Sequence, residues 1–71
     1  MNLCEVVKES QKLNCGFRQK DWTENCYAFH GIDNLLHISN NGQIQLMSMA
    51  VATLMAEDWT TFQAVPYHGT L

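Results

Sequence analysis

Five side chains carry the functional reading of this sequence: Arg18, Trp22, Tyr27, Asp58 and Trp59. An arginine guanidinium is a planar fork of donors that matches phosphate, and Trp22, Trp59, Tyr27 and Phe29 offer faces on which a nucleobase can stack. Stacking contributes about 1–3 kcal/mol per base by alanine substitution, so a few such groups suffice to grip a nucleotide-sized ligand. Each tryptophan directly follows an aspartate, in Arg18-Gln19-Lys20-Asp21-Trp22 and in Glu57-Asp58-Trp59. The two indoles are either two core anchors or two walls of a pocket, and Asp58 has a simple structural use as a cap or solvating group at a helix end.

Catalysis finds less material. Cys26 and His30 stand four apart, which would pair them on a helix, but the strand expected here gives them a common face without close contact. His37 alternates with Leu36 and Ile38 and reads as a solvent-facing strand residue. Glu57 and Asp58 are neighbours and point in different directions on any regular element, so they do not form a carboxylate pair. Gly16, Gly31, Gly42 and Gly69 are scattered singly, with no phosphate-cradling loop among them. The three cysteines, Cys4, Cys15 and Cys26, are odd in number and lack C-x-x-C spacing, which favours free thiols in a reducing compartment over a disulfide or a metal. The expectation is a protein without catalytic residues, metal or cofactor.

The bulk properties narrow the partners. Seventy-one residues make one domain, and a chain of this size buries only about 60% of its unfolded surface. Oligomerisation is the remaining way to cover apolar surface. A net charge of -3, with only Lys8, Lys12, Arg18 and Lys20 as cations, argues against a polymeric nucleic acid, which needs clustered positive charge. A single phosphate-bearing small ligand is compatible with it. No basic segment followed by an apolar run opens the chain, and no stretch approaches the roughly 18 apolar residues of a membrane span, so the expected location is the cytosol.

The elements that must position these groups follow from periodicity. Residues 2 to 14 have helical spacing, with Leu3, Val6, Val7, Ser10 and Leu13 on one face, Asn2 and Glu5 as a capping box, and Asn14-Cys15-Gly16 as the stop, left to the glycine. Phe17 to Lys20 and Cys26 to His30 read as strands around a polar turn that carries Trp22. Asn41-Gly42 between alternating flanks predicts a hairpin whose Leu36 and Ile38 share a buried face with Ile44 and Leu46. Residues 49 to 56 predict a short helix capped by Ser48, with a buried strand as the competing reading, and Trp59 to Gln63 a last strand. The domain is expected over residues 1–63, with residues 64–71 as a loose tail. The fold class is α+β: an N-terminal helix on a small antiparallel sheet, with a short second helix.

The order of these parts resembles a known family. An amphipathic first helix, Arg18 and Trp22 in an Arg-x-x-x-Trp element, a strand with Tyr27, and Leu54-Met55-Ala56-Glu57-Asp58-Trp59 before a closing strand are similar to the Thoeris anti-defence family, second type, of small phage proteins. The resemblance covers about residues 2 to 63, and its most specific piece is Ala56-Glu57-Asp58-Trp59. It implies a homotetramer in the cytoplasm of the infected bacterium that acts as a sponge. Such a protein sequesters cyclic nucleotide immune signals of Thoeris or CBASS type, glycocyclic ADP-ribose or cyclic di- and trinucleotides, without cleaving them. Carried onto this sequence, Trp22 and Trp59 become stacking aromatics, Arg18 a phosphate contact and Asp58 an acceptor for ribose or base. Two rivals differ in class. A module that inhibits a host defence protein by direct docking would carry no nucleotide, and an enzyme that degrades the same signals would need His30 or His37.

Overall fold

In the computed structural model, which describes residues 1–69, the first helix starts on a local hydrogen-bond exchange. Asn2 Oδ1 accepts from the Glu5 amide and Glu5 Oε1 accepts from the Asn2 amide, each at 2.9 Å, which fixes the first turn of α1 (Leu3–Leu13). Asn14, not Gly16, takes the left-handed conformation that ends it, at φ 53° and ψ 51°. Asparagine is the residue that best tolerates this region after glycine. Gly16 opens β1 (Gly16–Gln19) instead, and its missing side chain makes room for Val65, whose Cγ2 would lie 2.6 Å from a Cβ there.

Strands β2 (Cys26–Gly31), β3 (Leu36–Asn40), β4 (Gln43–Leu46) and β5 (Trp59–Phe62) join β1 in the order β4-β3-β2-β1-β5, all antiparallel. A two-residue strand, β6 (His68–Gly69), runs parallel to β2. A short helix, α2 (Val51–Met55), precedes β5 and touches α1. The expected α+β class is therefore seen. One face of the sheet carries Phe17, Ala28 and Trp59, and α1 packs on it through Leu3, Val6 and Ser10 to form the core.

Further expectations are corrected. The hairpin turn at Asn41-Gly42 pairs Asn40 with Gln43, Ser39 with Ile44 and His37 with Leu46. Directly paired residues share a face, so Ile44 and Leu46 lie with His37 and Ser39, opposite Leu36 and Ile38. A two-residue loop pairs even positions with odd ones, which is why the four apolar residues do not share one face. Leu46 is accordingly 60% exposed. His37 is buried rather than solvent-facing. The second helix is shorter than residues 49 to 56 and has no side-chain cap, and its apolar residues are exposed, Val51 by 75% and Met55 by 71%. Apolar composition there does not translate into burial, because α1 already covers the sheet.

The segment read as a loose tail is built into the fold as far as it is described. The Gly16 amide donates to the Val65 carbonyl at 2.9 Å, the His30 amide to the Tyr67 carbonyl at 2.9 Å, and Tyr67 is a core residue, 3% exposed. Its ring packs against Phe17 at 6.5 Å between centroids. Burial pushes the Tyr67 phenol up, against the opposing effect of a hydrogen bond with Gln11. Thr70 and Leu71 lie outside the described residues.

Candidate functional site

The face of the sheet away from α1 carries a row of aromatic rings. Register brings Gly16 opposite Phe62 and Arg18 opposite Thr60, so Arg18 and Phe62 share that face. The Arg18 guanidinium carbon stands 4.3 Å from the Phe62 ring centroid, a cation–π contact, while its Nη1 donates to the Thr23 carbonyl at 3.3 Å. From Phe62 the row continues to Tyr27 at 5.9 Å, to Phe29 at 6.1 Å, and to the stacked ring of His37 at 5.6 Å.

Phe62, Tyr27 and Phe29 floor an open groove made of two adjoining depressions of ≈ 640 and ≈ 540 Å³ that share Tyr27, Ser39, Gly42 and Val65. Each falls in the range of small-molecule sites, about 300–1,000 Å³. The hairpin turn and Ile44 form one rim, and the segment from Ala64 to Pro66 forms the other. Asn25, Ser39 and Asn41 bring hydrogen-bonding groups to the lining, and Glu24 brings a negative charge. Arg18 lies beside this end of the groove through its contact with Phe62.

The groove floor is held at its Phe29 end by the neighbouring His37 on the same face. His37 Nε2 lies 3.0 and 2.9 Å from the two Asp33 carboxylate oxygens. Partial desolvation pulls the Asp33 pKa upward, but the hydrogen bonds from His37 and the Leu35 amide, with the field of His37, leave it below the usual carboxylate value. Gly31 makes this arrangement possible, since a Cβ there would meet His37 Cδ2 and Asp33 Oδ1 at 2.6 Å each. His37 is thus a structural prop for Phe29.

Cys26 and His30 have separate occupations. Burial pushes the Cys26 thiol up, against the pull of the Arg18 charge, which keeps the sulfur protonated at neutral pH. His30 Nε2 bonds Asn34 Oδ1 at 2.6 Å. No group of three or more His, Cys, Asp or Glu side chains suited to a metal occurs among the described residues. No helix among them is long and apolar enough to cross a membrane.

The five residues singled out in the sequence divide between the two faces. Arg18 and Tyr27 belong to the groove side. Trp59 is 1% exposed in the core, and Trp22 packs edge-on against it at 5.4 Å. Trp22 Nε1 donates to Gln19 Oε1 at 3.1 Å, and Gln19 Nε2 donates to Asp58 Oδ1 at 2.8 Å. Trp59 Nε1 donates to the Thr53 carbonyl at 3.2 Å. The Met1 ammonium donates to the Glu57 carbonyl at 2.8 Å and to that of Trp59 at 3.2 Å, and the Trp59 amide donates to the Met1 carbonyl at 3.1 Å. The Ala56-Glu57-Asp58-Trp59 segment is therefore a joint that ties the start of the chain, α2 and the β1–β2 turn to the sheet.

Phe62, Asn25, Ser39 and Asn41 were not singled out by the sequence reasoning. For Phe62 a signal exists: in a strand starting at Trp59, period two places Phe62 on the face opposite the indole. The three polar residues have no local signal, because the groove brings Asn25, ahead of β2, together with Ser39 and Asn41 of the β3–β4 hairpin. Comparison with known proteins gives no match to any family model, any curated protein or any solved structure.

Proposed function

We propose that this protein is a non-catalytic sponge that sequesters a cyclic nucleotide immune signal, glycocyclic ADP-ribose or a cyclic di- or trinucleotide, in the cytoplasm of an infected bacterium. The observation that carries the reading is the adjacency of Arg18 to the Phe62, Tyr27 and Phe29 rings along a groove of nucleotide size. A phosphate pairs with the guanidinium, a base stacks on Tyr27 or Phe62, and Asn25, Ser39 and Asn41 supply donors and acceptors for its edge. Trp22, Asp58 and Trp59 serve the site indirectly, by holding β1 and β5 in the register that puts Arg18 beside Phe62.

Protection by such a protein is stoichiometric, because each site removes one signal molecule and turns over none. Assembly into a homo-oligomer, a tetramer by the family resemblance, fits the apolar residues left bare on the protomer, among them Leu46, Val51 and Met55. The same bare residues of α2 favour one rival reading, a module that docks on a host defence protein through this helix.

The deciding experiment incubates the protein with candidate signals, removes free ligand, heat-denatures the complex and analyses what is released. Intact ligand recovered from wild type and lost with Arg18→Ala or Tyr27→Ala supports the sponge. A converted product sinks it in favour of an enzyme. Absence of any bound nucleotide, together with co-purification of a host protein that depends on Val51 and Met55, selects the docking module.

A further inference from the structure

We propose that His30 and His68 together bind one divalent transition-metal ion, of the Zn²⁺, Ni²⁺ or Cu²⁺ class, at a site that adjoins the groove through His68, which lines its second depression, and that uses none of the side chains proposed to contact the nucleotide. The two residues are direct partners in the parallel pairing of β2 with β6, and their rings lie 4.8 Å apart between centroids. Two metal–nitrogen bonds of about 2.0–2.1 Å bridge imidazole nitrogens roughly 3–4 Å apart, a separation that rings at this distance reach by rotation of the exposed His68 side chain. Imidazole nitrogen is a preferred donor for these metals.

The tautomer of neutral His30 is set by its neighbour. Asn34 Oδ1 is an acceptor, so the 2.6 Å contact requires the proton of neutral His30 on Nε2. Nδ1 then carries the lone pair. That atom is buried and has no hydrogen-bond partner among the described residues. A buried, unpaired acceptor needs a compensating interaction, and a metal ion beside His68 supplies one. Asn34 is itself fixed, by its left-handed backbone at φ 66° and by its amide's hydrogen bond to the Gly31 carbonyl at 3.0 Å. This is the usual outer-shell device that orients a metal-binding histidine through its other nitrogen. Tyr67 stands edge-on to His30 at 5.3 Å and shields the site from the core side.

The metal would clip β6 onto β2. All three cysteines are free, so the chain has no disulfide to secure its C-terminal segment, and a small domain gains most from such a clip. Water or a further donor completes the coordination, since two protein ligands leave positions open.

The test uses the full chain carrying Cys4→Ser, which removes the exposed competing thiol. Zn²⁺ is titrated by calorimetry, with the thermal midpoint and the imidazole ¹⁵N spectrum followed in parallel. Expected are one equivalent bound, shifts at His30 Nδ1 and at His68 but not at His37, and a raised midpoint. His68→Ala, a change at an exposed position, keeps the metal-free midpoint and abolishes both the binding and the rise. Asn34→Ala weakens binding by about 10–100-fold. Undiminished binding in His68→Ala, ¹⁵N shifts confined to His37, or no saturable Zn²⁺ binding by the His30/His68-containing chain each overturn the proposal.

Discussion

Trp22 stands edge-on to Trp59, with 5.4 Å between ring centroids and 72° between ring planes, and the two indoles have unequal shares of the core. Trp59 is among the largest fully buried side chains and also meets Phe17 edge-on at 5.9 Å. Trp22 covers it from the β1–β2 turn and keeps part of its surface in water. Trp59→Ala should therefore destabilise the domain by about 3–5 kcal/mol, and Trp22→Ala by clearly less. Urea unfolding followed by far-ultraviolet circular dichroism measures both. Equal losses would mean that the turn is as much a part of the core as the strand.

How much of this was legible in the sequence depends on the range of the interaction. The capping box at Asn2 and Glu5 and the turn at Asn41-Gly42 are local, and both appear where their residue types place them. Tyr67 gave no local signal, because its partner Phe17 lies fifty residues earlier in the chain and only the sheet brings them together. The apolar run around Val51 forms the expected helix rather than the competing buried strand, and its side chains stay exposed because burial is decided by what covers a segment. Of the groove, Arg18 and Tyr27 were legible by type. Their union with Phe62 depends on the β1–β5 register, which no window of sequence contains.

The hairpin supplies a second prediction. Ile44 and Leu46 alternate with glutamines as though one side were buried, yet both are exposed on the edge strand β4. Replacing both by serine should change monomer stability by no more than about 0.5 kcal/mol each, the usual range for surface positions. The same double change should lower any self-association seen by analytical ultracentrifugation. A large loss of monomer stability would show that these side chains are covered within the protomer.

Two glycines separate crowding from backbone strain. Gly31→Ala forces a methyl group into His37 and Asp33, at a cost of about 1–3 kcal/mol, and disturbs the ring stack under Phe29. Gly42→Ala meets no atom within 4 Å, but its φ of 87° is unfavourable for any residue with a Cβ. It should cost about 1–2 kcal/mol through the backbone alone. Proton spectra distinguish the two: His37 and Phe29 resonances move in the first variant and stay in place in the second.

Stability should fall at both ends of the pH scale for reasons assignable to single groups. Asp33 has a folded pKa below its usual value, so the folded state holds fewer protons than the unfolded chain between those two values. Its contribution is complete above the unfolded carboxylate pKa, about 3.9, and is lost as pH falls through the folded value. Tyr67 is the opposite case. Its folded pKa is raised, so its contribution is complete below the unfolded phenol value, about 10, and is lost as pH rises through the folded one. Denaturant midpoints measured across the pH range should thus show an acid slope that flattens in Asp33→Asn and an alkaline slope that flattens in Tyr67→Phe. Tyr67→Phe keeps the ring that packs on Phe17, so its alkaline slope reports the buried phenol rather than a lost core contact. An unchanged alkaline slope in that variant would place the phenol in water and the segment after Val65 away from the core.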